Sequence, residues 1–353
     1  MIKIITVVAI VFAGFCSVVF RGGESIYAIF RTAQLKDFLS GTLSGKIDRA
    51  VFDAIPRSAA LNGFAAGLLY KGLRDTGSQV WTGCNDWLYS ADELSANRHD
   101  AENIAARARL LPLLVQALTK RGILLVVVSV PDKAEQVEDQ LCGVAANQSR
   151  FRAKLWRQAS RATVLDQADL RTRWPHPGYW RTDTHWDSAG ARFAAEAVAQ
   201  IIKGKLGPGS ERINLTSSAM HERPGDLARL AGLMASPRWL APAAEFTEDP
   251  RAEIERSGGL LDDTPAPSVI LAGSSFSLNS GFIEYLQASL AREVAQVSEA
   301  GGGFAGALLN ILQRKPDILA TVKVVIWEWP MRSLTAPLSE AERRFPEQVP
   351  SRP

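Results

Sequence analysis

The sequence predicts an α/β fold: a doubly wound, mostly parallel sheet flanked by helices, behind an N-terminal membrane anchor. Three observations predict it. Strand-like and helix-like segments alternate across residues 120–330, the pattern of βα units. The run ILLVVVSV at 123–130 is apolar and rich in β-branched residues without interruption. Such a run suits a strand buried on both faces, as in a parallel sheet covered by helices. Finally, Ile4–Phe20 is an apolar stretch between Lys3 and Arg21, the form of a signal anchor or secretory signal.

Of the 353 residues, 46% are hydrophobic and 22% charged, which is enough apolar material for a full core. The net charge is +3 with no Lys/Arg block, which excludes nucleic acid as the expected partner class.

The elements follow in order. Residues 1–21 are read as an uncleaved anchor, because no small-x-small cleavage site stands out. Residues 22–79 read as a stalk or linker, with weak helical periodicity at Ile47–Ile55 and Leu61–Leu73. The compact domain is expected over 80–335, with 336–353 as a C-terminal tail. Within that domain Trp87–Tyr89 is a short strand. Glu102–Arg121 is an amphipathic helix closed by Gly122. Phe151–Arg161 is a helix, Val164–Asp166 a strand, and Ser188–Lys203 a helix capped by Asp187 or Ser188. The stretch 205–262 is rich in Pro, Gly and charge and reads as loop. Val269–Ala272 is a strand, Phe282–Leu290 and Phe304–Gln313 are helices, and VKVVIWEW at 322–329 is the last strand.

Of the three cysteines, Cys16 lies in the anchor, and Cys84 and Cys142 are either paired or free. The four histidines form no HxxxH or HxH cluster, so no zinc site is expected and no metal or cofactor is assigned.

One strand leads straight into AGSSFS at 272–277. In a doubly wound sheet the crevice lies at the C-terminal ends of the strands, so Ser275 sits where a nucleophile would. A serine needs a base, and the base an orienting group. YWRTDTHWDSAG at 179–190 offers His185 with Asp183 two positions before it. Residues i and i+2 of an extended segment face the same side. The Ser275 N–H can serve an oxyanion, and Gly302 and Gly303 can bring a second backbone donor close. His221 is an alternative base without an acid two positions away. Each piece alone has an ordinary reading: a Gly/Ser turn, or a surface histidine.

Five stretches in this order resemble the alginate O-acetyltransferase family of exported SGNH-hydrolase-like proteins: WLYSADEL (87–94), VPDKAEQV (130–137), TDTHWDSAG (182–190), AGSSFS (272–277) and VVIWEWPMR (324–332). The resemblance implies Ser275 as nucleophile, His185 as base and Asp183 as its orienting acid. It also implies acetyl transfer in the periplasm to hydroxyls of an exported polysaccharide. A membrane-bound acyltransferase would supply the acetyl group, and the anchor would tether the domain to the inner membrane. The order of base before nucleophile is the reverse of ordinary SGNH hydrolases and matches this family. Trp180, Trp186, Trp327 and Trp329 are candidates to stack on sugar rings or to fill the core, and Arg332 a candidate for an anionic sugar. A carbohydrate acetyl esterase, or an inactive scaffold that binds polysaccharide, would use the same frame.

Overall fold

The computed structural model describes residues 2–54, 58–255 and 266–348. The chain divides into two compact units, Met1–Thr82 with Ala228–Ala243, and Gly83–Leu227 with Ala244–Pro353.

The second unit holds the predicted sheet. Its five strands are β1 (Leu124–Val130), β2 (Asp166–Gln167), β3 (Val269–Ala272), β4 (Ala295–Gln296) and β5 (Val324–Pro330), all parallel in the order β4-β3-β5-β1-β2. Strand β5 lies at the centre, paired with β1 from Val324↔Leu124 to Pro330↔Val130 and with β3 from Val324↔Val269 to Trp327↔Ala272. Side chains alternate across a strand, and here the alternation feeds two cores. Leu125, Val127, Val325, Trp327 and Trp329 pack on one face. Val126, Val128, Val130, Val324 and Ile326 pack on the other.

Helices α1 (Asp100–Thr119), α2 (Asn147–Ser160) and α5 (Gly306–Arg314) cover the first face. Helices α3 (Ser188–Leu206) and α4 (Phe282–Leu290) cover the second. Asp187 caps α3 by accepting the Gly190 N–H at 2.8 Å. Gly122 follows α1 with φ +70°, the left-handed geometry that glycine tolerates.

Two stretches of the second unit differ from the sequence reading. The loop-rich region contains two antiparallel ribbons, Arg212–Ser217 with Pro250–Glu255 and His221–Arg223 with Glu245–Thr247; its residues 256–262 lie outside the described residues. The expected tail forms the helix Glu340–Gln348, tied to α1 by the buried Arg107, which donates to both Glu342 carboxylate oxygens at 2.9 and 3.2 Å. Residues 349–353 lie outside the described residues. Cys84 and Cys142 form a disulfide.

In the first unit, the helix Ile2–Ser17 continues through a π turn into Gly23–Thr32, and Val7–Thr32 is long and apolar enough to cross a membrane. The expected stalk folds as the helices Gly23–Thr32, Leu35–Leu39, Thr42–Ala54 and Ala59–Leu73.

Candidate active site

The seryl loop leaves the end of β3 and turns immediately. Gly273 makes this possible by its lack of a side chain: a Cβ there would sit 2.0 Å from Ser277 Oγ and 2.8 Å from Glu328 Oε2. Close approach, rather than a positive φ, is what requires glycine. The loop closes around Glu328, which lies on β5 on the same face as Ile326 and is buried. Glu328 Oε2 accepts the Ser274 N–H at 2.7 Å, the Ser277 N–H at 3.2 Å and the Ser277 hydroxyl at 2.7 Å; Oε1 accepts the Ser274 hydroxyl at 2.9 Å. Burial raises the Glu328 pKa, and these donors pull against it. Held in this way, Ser275 stands partly exposed with its Oγ 2.9 Å from His185 Nε2.

The acid–base segment is built differently. Tyr179 bridges Trp186 in antiparallel fashion, and Trp180 N–H donates to the His185 carbonyl at 3.2 Å. Between them the chain bends rather than runs extended. Asp183 Oδ1 accepts the His185 N–H at 2.8 Å and lies 2.6 Å from its Nδ1. An aspartate that binds the amide two residues on makes an Asx turn. That turn, and not extended alternation, puts the carboxylate and ring side by side.

Burial would raise the Asp183 pKa. The His185 hydrogen bond, the His185 charge and the Arg223 guanidinium overcome it and hold the carboxyl well below the usual range. Asp183 is therefore an ionised acceptor that fixes the Nδ1–H tautomer and leaves Nε2 free for Ser275.

Four residues that sequence reasoning missed hold this segment. Arg223 Nη2 donates to Asp183 Oδ2 at 3.3 Å and to Asn279 Oδ1 at 3.1 Å. Asp226 donates its N–H to Asp183 Oδ2 at 3.1 Å, and its carboxylate accepts the Thr184 N–H at 2.7 Å and hydroxyl at 2.5 Å. Glu245 accepts the amides of Arg181 and Thr182 at 2.7 and 2.8 Å. The buried Lys133 ammonium donates to the carbonyls of Leu88, Arg181 and Asp183 at 2.5, 2.9 and 2.9 Å. Arg223 and Glu245 face each other in the second ribbon's register, which delivers both to the site together.

Candidate ligand atoms of Asp183, His185 and Asp226 lie within 4.8 Å of one another, a spacing that can hold a cation. Each of the three side chains is also engaged in the hydrogen bonds above.

The remaining predicted residues fall in different places. Trp186 is fully buried against Phe276 and Phe282, so it offers no face to a sugar and is corrected to a core residue. Trp327 and Trp329 are buried with Phe304 on the opposite face from Glu328. Trp180 is half-buried, donates to Ser280 Oγ at 2.9 Å, and lies under the Arg223 guanidinium. Arg332 pairs with the buried Glu93 at 3.3 Å and covers the Phe276 ring. The Gly302 N–H is taken by the Glu299 carbonyl at 3.0 Å, so it is not the second oxyanion donor. Gly303 follows in the same loop with φ +61°. His221 pairs with Asp249 at 3.3 Å, away from Asp183.

Comparison with known proteins gives this geometry a context. Residues 80–331 match the family described as "SGNH hydrolase-like domain, acetyltransferase AlgX". The chain is 28% identical over 288 residues to the probable alginate O-acetylase AlgJ of Pseudomonas fluorescens, spanning 76% of this chain and 72% of that one. It is 27% identical over 267 residues to the alginate biosynthesis protein AlgX of Pseudomonas aeruginosa, covering 69% of this chain and 54% of that one. Among solved structures, the O-acetyltransferase domain of Pseudomonas putida AlgJ superposes with a TM-score of 0.66 at 23% identity, covering 76% of this chain and 99% of that domain. That likeness bears on the fold.

Proposed function

The chain belongs to the AlgX family of SGNH hydrolase-like acetyltransferases, and from that premise we propose that it O-acetylates an exported, alginate-like polysaccharide through an acyl-Ser275 intermediate. One observation carries the reading: Ser275 Oγ, the His185 ring and the Asp183 carboxylate form a single hydrogen-bonded chain at the end of β3.

The first half-reaction forms the Ser275 Oγ–acetyl bond. His185 Nε2 takes the hydroxyl proton as Oγ attacks the acetyl carbonyl, and returns it to the donor's leaving group. Asp183 stays ionised and stabilises the imidazolium. The Ser275 N–H serves the oxyanion. In the second half a sugar hydroxyl gives its proton to His185 and attacks the ester, and Ser275 leaves and recovers a proton. The acetyl donor is a membrane-bound acyltransferase, and the domain works in the periplasm, tethered by its first helix. The half-buried Trp180, Gly303 and Arg332 are the residues proposed to meet saccharide beside the relay.

The test incubates the full chain with a chromogenic acetate, wild type beside Ser275→Ala, and reads released chromophore and intact mass. An acetyl adduct on the wild type alone is the expected result. Turnover retained by Ser275→Ala would overturn the nucleophile. Hydrolysis without transfer to added oligosaccharide would favour an esterase.

A further inference from the structure

The first unit is unusual for its surface. Most of the exposed large apolar side chains among the described residues belong to it, although it is the smaller unit. A surface helix normally turns polar residues outward. Here Tyr27, Leu35, Phe38 and Phe52 stand exposed on helices that follow the apolar run, Phe38 at 71%. The helix Ala59–Leu73 has no charged residue before Lys71, packs against Ile2–Ser17 and exposes Leu61 and Phe64. Trp239 lies edge-on to Phe64 and is 69% exposed. Aromatic and apolar side chains gathered beside a spanning helix are the signature of the membrane–water interface.

The charges agree. Arg21, which ends the apolar run, lines a cavity of about 660 Å³ with Lys46 and Arg49, and Asp53 is the one carboxylate in that lining. The helix Thr42–Ala54 supplies Lys46, Arg49 and Asp53, and is tied to the first helix where Ser17 Oγ donates to the Ala54 carbonyl at 2.8 Å. Cations at the end of a span fit anionic phospholipid headgroups.

We propose that the whole first unit, and not its first helix alone, is a membrane-interface module: the helices of 23–73 and the segment 228–243 lie in the headgroup region, with an anionic headgroup between Arg21, Lys46 and Arg49. The proposal rests on the reading of the apolar run Ile4–Phe20 as the membrane-crossing part of the first helix.

The experiment uses the full chain in nanodiscs of phosphatidylethanolamine and phosphatidylglycerol, with Cys16→Ser as background. Single cysteines replace Phe12, Phe38, Trp239 and Val164, and an impermeant maleimide reads their exposure. Val164 is 93% exposed in the second unit, and Phe12 is 65% exposed within the span, so protein packing alone would leave all four reactive. The expected result is loss of labelling at Phe12, Phe38 and Trp239 and full labelling at Val164. Protection at Phe12 with full labelling at Phe38 and Trp239 overturns the interface module and leaves the span standing. Labelling at Phe12 as well overturns the span, and the module with it. If Phe38 and Trp239 are reactive in nanodiscs but protected in native membranes, a membrane protein covers this face and the lipid proposal falls.

Discussion

The two halves of the candidate site rest on two buried carboxylates that do opposite work. Glu328 stands on the central strand β5 and gathers the backbone and hydroxyls of the seryl loop, and burial pushes its pKa up. Asp183 sits in a bent loop, and its partners press its pKa down. The Ser275 half is thus positioned by the sheet itself. The base half is positioned by side chains from ribbons and loops remote in sequence. A carboxylate that touches the reacting relay has to stay charged. One that only shapes a loop needs donors around it and no contact with substrate.

Substitutions in the two carboxylates test that contrast, and the largest effect is expected at Asp183. Asp183→Asn keeps the shape but presents the wrong donor to Nδ1, and a loss on the order of 10⁴-fold in kcat is expected. Steady-state rates on a chromogenic acetate measure it, and a loss under about tenfold would mean Asp183 does not orient the base. Glu328→Gln should cost less, about 10²-fold in kcat, because it displaces Ser275 without touching a reacting atom. It should also destabilise the fold by roughly 1–3 kcal/mol, since an amide cannot accept from all four donors. Urea unfolding beside the rate assay checks both. Equal losses for the two variants would erase the distinction between a catalytic and a positioning carboxylate.

The contrast also explains what was legible in the sequence. Ser275 could be found because a buried strand ending in a Gly-x-Ser turn is a local pattern. Asp183 and His185 could be found because their spacing is local, although the Asx turn that joins them was not foreseen. Glu328 carried a signal that went unread: a lone charge inside a strand whose neighbours Ile326, Trp327 and Trp329 are all buried. Such a charge needs partners. Arg223, Asp226 and Glu245 carried none, because they reach the site through ribbon pairing and chain folding within a stretch that reads as loop. Trp186 was misread because a tryptophan beside a histidine such as His185 looks the same in sequence whether it faces solvent or core.

Lys133 tests the scaffold of the base half. Its ammonium is buried and satisfied by three carbonyls, and burial lowers its pKa. Lys133→Met removes the donors and leaves those carbonyls buried. The expected cost is roughly 3 kcal/mol in stability, with at most about tenfold in kcat for the protein that remains folded, because no reacting atom is touched. Chemical denaturation followed by activity at fixed folded concentration separates the two. A variant as stable as wild type yet inactive would move Lys133 from scaffold into chemistry.

Arg223 is where the halves meet: one guanidinium nitrogen reaches Asp183 and Asn279, and Asn279 in turn donates to the Ser275 carbonyl at 2.7 Å. Arg223→Leu removes one of several influences that depress the Asp183 pKa, so the rate near neutral pH should fall only a few-fold. The pH dependence is the sharper readout. A depressed carboxylate contributes stability above its unfolded value, about 3.9, and loses it as pH falls through the folded value. Without Arg223 the folded value rises, so that contribution is lost at a higher pH. Acid unfolding of Arg223→Leu, followed by circular dichroism, should therefore begin at higher pH than in wild type. An acid transition that does not move would mean that the His185 contacts alone hold Asp183 ionised and that Arg223 serves only to join the two loops.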